Sequence, residues 1–361
     1  MLNNIKKIAQ AILSNKIISK FLLYFRYVTL GLGSINLLTA YLYNIIYPFN
    51  FTREQLTILG GRFRNVKGKI RKKTTSPDLR RNIHRLEKGL SMPNRKPIFA
   101  LNYIEETLDF FKIGINQDSI DHKFESELQW SNDVLKSYFS SIEHNSKTTN
   151  LQKVYEQLSA RLKNKNSQTN KIPYSYSQLE ESNISFDNLE KFFLRRRSVR
   201  FYEQKKVERN KIQKAITLAA SSPSACNRIP YRYAIFDDPA LIAKVASLPF
   251  GTTGYSNNIP CIIGIIGDFS NYFSARDKHV PYIDASLSVT TFMYACESLG
   301  LATCAINWPD FELLELKSRR VMKIGKHERI IMFVSCGYPL SDGMIPYSDK
   351  KNINRIISYN E

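Results

Sequence analysis

Four short segments near the carboxy-terminal end carry side chains able to do chemistry. The first, Arg195-Arg196-Arg197-Ser198-Val199-Arg200-Phe201, places four guanidinium groups and a hydroxyl within six residues. Guanidinium forks match phosphate oxygens in pairs, so this set is a concentrated oxyanion binder. Taken alone, a solvated basic helix end explains it equally well. The second segment, Pro223-Ser224-Ala225-Cys226-Asn227-Arg228-Ile229-Pro230-Tyr231, reads as a helix-to-strand turn. Its two prolines fix the path of a loop that holds an amide able both to donate and to accept. The third, Gly300-Leu301-Ala302-Thr303-Cys304-Ala305-Ile306-Asn307-Trp308, is a strand leaving a buried helix. The fourth is Cys336-Gly337-Tyr338-Pro339, with Ser348, Lys350 and Lys351 shortly after. No nucleophilic triad accompanies them. His279 and His327 are candidate proton donors, although a lone histidine is more often structural.

These segments need elements to position them. Helical periodicity covers 185–196, 208–222, 238–248, 283–299 and 310–322. Apolar strand-like runs lie between, at Tyr231–Phe236, Cys261–Gly267, Ala302–Ile306 and Arg329–Cys336. Helices alternating with apolar strands predict a sheet covered on both faces. The apolar helix Ile283–Leu299 is expected to be fully buried, as a central or interface helix. Cys226, Cys261, Cys296, Cys304 and Cys336 form an odd set without a C-x-x-C pair. That argues against a disulfide framework or a structural zinc, and for small core residues in a reducing cytosol.

In this order and spacing the four segments resemble the FMN-dependent nitroreductase family, over roughly residues 185–361. The resemblance implies an α+β fold: a nitroreductase-like mixed central sheet covered by helices, preceded here by a mainly helical amino-terminal extension. It implies that Arg196, Arg197, Ser198 and Arg200 grip the flavin at its phosphate, ribityl chain and ring edge. Asn227 would present its amide to the isoalloxazine, with Ser224 nearby. Ala305, Ile306 and Asn307 would lay backbone over the ring. Lys350, with Ser348 beside it, would complete the phosphate site. FMN in that family takes hydride from NADH or NADPH at N5 and passes it to an acceptor, so no side chain need be a nucleophile and no metal is required. Arg200 and Asn227 are then the groups that stabilise the anionic reduced ring. The family's flavin lies at a dimer interface, which implies an intertwined homodimer. One departure stands out: the family turn often reads N-x-Q-P, and this chain has Asn227-Arg228-Ile229-Pro230. The runs Ile306-Asn307-Trp308-Pro309-Asp310, Arg276-Asp277-Lys278-His279, Tyr282-Ile283-Asp284 and His84-Arg85-Leu86-Glu87-Lys88-Gly89-Leu90 are similar to a branch encoded among surface-polysaccharide genes.

The amino-terminal half is of another kind. The chain has 361 residues and a net charge of +20, which calls for an anionic partner. Thirteen Lys/Arg against two acids fall between Arg62 and Lys96. No charged residue occurs from Tyr27 to Thr52, a run long enough to cross a hydrocarbon core of roughly 30 Å. Basic flanks on both sides oppose a single crossing. An in-plane helix, or a hairpin bent at Gly31–Gly33, keeps both flanks on one side. Buried helices of a soluble domain are the plainer reading. Ser76-Pro77-Asp78 starts a helix that carries Leu79, Ile83, Leu86 and Leu90 and stops at Gly89. Helical pattern recurs at Ile104–Phe111 and Leu151–Leu162, and Asn164–Tyr176 reads as a linker. The block lacks interleaved aromatics apart from Phe63 and any recognisable reading motif, so nucleic acid is not expected. A solvated basic face or contact with anionic lipid headgroups fits better.

The organisation expected is therefore 1–60 apolar helices, 61–163 basic helical extension, 164–184 linker and 185–361 flavin domain. The expected function is an NAD(P)H-dependent FMN oxidoreductase acting on a nitro-, quinone- or glycan-pathway-like acceptor. The expected location is the cytoplasm, peripheral to the inner membrane face if the apolar run lies there. The alternative is a flavin-binding or inactive protein of the same fold, tethered to a membrane-associated glycan-assembly complex.

Overall fold

The computed structural model describes residues 16–47, 52–71, 76–121, 124–162 and 170–360. Two compact units divide the chain, Met1–Leu56 and Thr57–Glu361. Lys72 and Lys73 of the basic block, and 164–169 of the expected linker, lie outside the described residues.

In the first unit lie two helices, α1 (Lys16–Gly33), whose last seven residues open the charge-free run, and α2 (Leu37–Ile46) within it. The break falls at Ser34-Ile35-Asn36 rather than at the glycines, because Asn36 caps α2. Its side chain accepts from the Thr39 N–H at 3.1 Å, and the Thr39 hydroxyl accepts from the Asn36 N–H. Gly33 instead lets the helices close: a Cβ there would lie 3.1 Å from the Tyr43 ring. Phe21, Leu23, Leu37, Leu38 and Ile45 are all exposed. Among the described residues, no helix is long and apolar enough to cross a membrane.

The second unit opens with a helical extension: α3 (Thr52–Ile70), nearly all of it here, α4 (Ser76–Leu90), α5 (Ile104–Asp121), α6 (Glu125–Ser141) and α7 (Ser146–Ser159). Leu79, Ile83 and Leu86 recur every three or four residues, so they share one face of α4. They pack with Ile104, Phe111, Leu128, Leu135 and Tyr138 into a core of their own. Gly89 lies inside α4, whose last residue is Leu90.

The carboxy-terminal part adds α8 (Phe186–Arg195), α9 (Arg209–Ala219), β1 (Tyr231–Phe236), α10 (Pro239–Ala246), β2 (Cys261–Asp268), α11 (Val280–Ser298), β3 (Ala302–Asn307), α12 (Glu312–Met322) and β4 (Glu328–Gly337). The sheet order is β1-β2-β4-β3, each neighbouring pair antiparallel. A parallel bridge, Ser198 to Thr303, lies on the outer edge of β3. Side-chain alternation sends Ile263 and Ile265 of β2 toward α9 and α11, and Ile262 and Ile266 toward α10 and α12. Both faces of β2 are therefore covered, which explains its unbroken apolar run. The helix α11 is buried on one side only. Ala285, Val289 and Phe292 face the core, while Ile283 and Leu287 are 55% and 44% exposed, so the expected full burial is not seen.

One charge is buried in this layer. Arg329 on β4 is 1% exposed and ion-paired to Glu315 at 3.5 Å, with Asp310 as a second carboxylate partner. The Trp308 indole donates to the same Glu315 oxygen at 2.6 Å.

Candidate functional site

The arginine segment begins where α8 ends. Arg195 is ion-paired to Glu297 at 2.8 Å. The chain then leaves the helix and lies beside β3, where the Val199 N–H donates to the Thr303 carbonyl at 3.2 Å. The Arg196 guanidinium sits 5.7 Å from the Tyr294 ring centroid, and that of Arg200 sits 6.0 Å from Tyr255. Arg200 also donates to the Ser198 carbonyl at 3.3 Å. Among the described residues neither Arg196 nor Arg200 has a carboxylate partner. Two neighbouring cations without counter-charges are what an anion site leaves free. Burial pushes the Tyr255 hydroxyl up to about 12, and pushes the nearby Cys304 thiol up against the pull of Arg200. The thiol is thereby kept protonated.

Arg197 is used differently. Its guanidinium donates to the carbonyl oxygens of Pro346 and Tyr347. It thus ties the carboxy-terminal tail, with Ser348 and Lys350, to the arginine segment. Both of these residues are exposed. Since β3 is an edge strand, the backbone of Ala305, Ile306 and Asn307 beyond the Thr303 bridge has no strand partner on its outer side among the described residues. Ala305 and Asn307 face outward and Ile306 is buried. The Thr303 hydroxyl is buried there with no hydrogen-bond partner among the described residues.

The second candidate segment is a strained turn. Cys226, Asn227 and Ile229 all have left-handed backbone, with φ of 54°, 51° and 52°. For a β-branched isoleucine this is a genuine outlier, and each such residue costs on the order of 1–3 kcal/mol. Asp284 of α11 repays much of it. One carboxylate oxygen accepts from the Ser224 hydroxyl at 2.7 Å and from the Ala225 N–H at 3.0 Å. The same hydroxyl accepts from the Ile229 N–H at 2.8 Å. Burial raises the Asp284 pKa, while those hydrogen bonds and the Arg228 charge oppose the shift. The Arg228 side chain is buried, 4.7 Å over the Tyr272 ring.

The extension reaches this turn. The Arg80 Nε donates to the Asn227 carbonyl at 2.5 Å, its Nη1 pairs with Glu127 at 3.1 Å, and its plane lies 5.2 Å from the Trp130 ring. A cleft of about 670 Å³ opens beside it, lined by Arg80, Glu127, Trp130, Tyr174 and Asn227. Asp78 of α4 is buried next to Lys69, at 3.2 Å, and close enough to Arg228 to feel its charge. Arg85 stacks 3.6 Å over Tyr103. Lys69, Arg80, Arg81 and Arg85 of the basic block are thus partly buried, whereas Arg62, Arg64, Lys67, Arg71, Lys88, Arg95 and Lys96 are exposed.

The candidate residues fall into two groups. Arg196 lies against Tyr294 of α11, Arg200 against Tyr255 and Ser198 beside Thr303 of β3, whereas Ser224, at the start of the turn that holds Asn227, is bonded to Asp284 near the other end of α11. Ten residues of helix put these ends roughly 15 Å apart. Asp284, Arg228 and Arg80 were not among the candidates. Asp284 had a readable signal, an acid inside an apolar helix, where burial is costly without hydrogen bonds. Arg80 had none, because its partner lies far along the chain.

The sequence model of the Nitroreductase family matches residues 194–253 and 257–338. Iodotyrosine deiodinase 1 of Pongo abelii is 22% identical over 218 residues, covering 52% of this chain and 74% of the relative. The Homo sapiens protein of that name gives the same figures. Among solved structures, the FMN-dependent nitroreductase of Clostridium difficile R20291 is 22% identical with a TM-score of 0.41, covering 47% of this chain and 98% of its own.

Proposed function

We propose that residues 194–253 and 257–338, which match the Nitroreductase family model, build an FMN-dependent oxidoreductase site. The observation that carries this reading is the pair of guanidinium groups, Arg196 and Arg200, left without carboxylates beside an open strand edge. That arrangement suits a phosphate and a planar ring with polar edges. FMN, when bound, supplies hydride acceptance and delivery with NADH or NADPH as the donor. Arg196 and Arg200 neutralise its phosphate and the developing charge at the ring edge. Ala305–Asn307 offer backbone groups to the ring, and Lys350 on the tail adds a cation. The separation of the two candidate groups along α11 favours a homodimer, in which the Ser224–Asn227 turn of one copy completes the arginine site of the other. The exposed apolar residues Ile283 and Leu287 on the outer side of α11 support that interface. The acceptor is a small molecule of nitro, quinone or glycan-pathway type. The deiodinase relatives add a halogenated phenol ring to the acceptors to assay.

Purified protein should be yellow, with absorption near 370 and 450 nm (an approximate expectation for any bound flavin) that NAD(P)H bleaches. Bands that persist under NAD(P)H favour a flavin-binding interaction protein instead. Colourless protein that FMN does not reconstitute removes the reading.

The exposed apolar residues of α1 and α2 favour a second property, contact with the surface of an anionic membrane. An in-plane apolar segment and a basic patch, worth up to about 1 kcal/mol per Lys or Arg, are two weak signals that bind together. Full-length protein should co-sediment with vesicles rich in phosphatidylglycerol, and deletion of residues 1–56 should weaken this strongly. Protein left in the supernatant at low salt shows that the apolar helices serve some other contact.

A further inference from the structure

We propose that the helical extension positions the cofactor turn, with Arg80 of α4 as the positioning residue. This rests on the flavin reading for its function, but not for its geometry. Three residues of the turn have left-handed backbone. Asp284 and Ser224 brace its two ends, tying down the Ala225 and Ile229 N–H groups. The Asn227 carbonyl lies outside that brace. It accepts instead from the Arg80 Nε, at 2.5 Å.

Arg80 is itself held from two other sides. Glu127 of α6 accepts from it at 3.1 Å and also from the Ser76 hydroxyl at 2.9 Å. The Trp130 ring lies 5.2 Å from its guanidinium carbon. A planar fork fixed by a carboxylate and an aromatic face loses little freedom on making one more bond. Asp78 of α4, paired to Lys69 at 3.2 Å, also lies close enough to Arg228, the next residue of the turn, for the two charges to attract. The extension thus holds the carbonyl of Asn227 directly, through Arg80. A residue whose amide is to meet a flavin ring is thereby set in place by a helix outside the family-matched segment.

The test uses the full-length chain and hydrogen exchange across Ser224–Pro230, followed by FMN titration. R80A should speed exchange of the 225–229 amides by about tenfold or more, because local opening governs exchange. R85A is the control: Arg85 stacks on Tyr103 in the same helix, away from the turn. It should leave exchange in the turn unchanged even if it lowers Tm. Unchanged exchange in R80A, or an equal rise in R85A, overturns the proposal. If R80A does not fold, R80K decides. One ammonium cannot serve Asn227 and Glu127 with the fork's geometry, so exchange must still rise, and no rise overturns the proposal. FMN affinity should fall at least tenfold in R80A and stay at the wild-type value in R85A. Wild-type protein that takes up no FMN removes the flavin reading, while the exchange comparison still decides the role of Arg80.

Discussion

Replacing Arg196 and Arg200 together with alanine should weaken FMN binding by at least about tenfold, and by far more if their contributions add, since a hydrogen bond to a charged group is worth roughly 1.5–3 kcal/mol. Both guanidiniums lie near aromatic rings without a carboxylate to neutralise them, so an incoming phosphate displaces no existing ion pair. Arg195 and Arg197 provide the contrast. The first is paired to Glu297 and the second to tail carbonyls, so R195A should change affinity little. Isothermal titration of the variants with FMN measures this directly. Equal affinity for the double variant and the wild type would place the phosphate elsewhere.

The largest effect on stability should come from Arg329. R329M removes the charge facing Glu315, whose side chain is 3% exposed, and leaves that carboxylate buried with the Trp308 indole as its one side-chain donor among the described residues. Breaking a buried pair from one side costs about 3–5 kcal/mol, whereas replacing both members is often nearly neutral. R329M should therefore move the urea midpoint sharply, and E315Q on top of it should recover much of the loss. The exposed partner Asp310 matters less, because solvent screens it. An unfolding free energy in R329M within about 1 kcal/mol of the wild type, a threshold set by ordinary surface substitutions, would show that the pair contributes nothing.

The elements of the carboxy-terminal half were legible because their signals are local. β1 spans Tyr231–Phe236 as its apolar run indicates, and α11 and β2 differ from expectation only at their ends. A buried strand advertises itself through consecutive apolar residues, and a helix through its period. The exposure of Ile283 and Leu287 was not legible, since an apolar residue looks the same whether a helix or nothing covers it. The helix α6 was missed: Leu128, Val134, Leu135 and Tyr138 are its core residues, but polar neighbours dilute their period. The bend between α1 and α2 is expected at the flexible glycines, whereas Asn36, three residues beyond Gly33, caps α2 and decides it. At the site, the arginine segment and the turn were visible as motifs. What joins them to the fold was not. Arg80 and Asn227 are 147 residues apart, and no local pattern records a contact of that range.

The strand β2 has a further consequence, for the chain before it is folded. Cys-Ile-Ile-Gly-Ile-Ile-Gly carries no charge and has strong β character, the make-up of a segment that stacks on copies of itself. In the native sheet both of its edges are hydrogen-bonded, by β1 and β4. Its β4 partners lie far downstream, Cys261 pairing with Cys336, so on synthesis or refolding the run must wait with one edge bare. Pro260 and Asp268 stand at its two ends, a residue that cannot donate to a ladder and a charge that repels stacking. They bound the hazard without removing it. The helices that shield this strand in the finished protein are what separate a single folded chain from an aggregate.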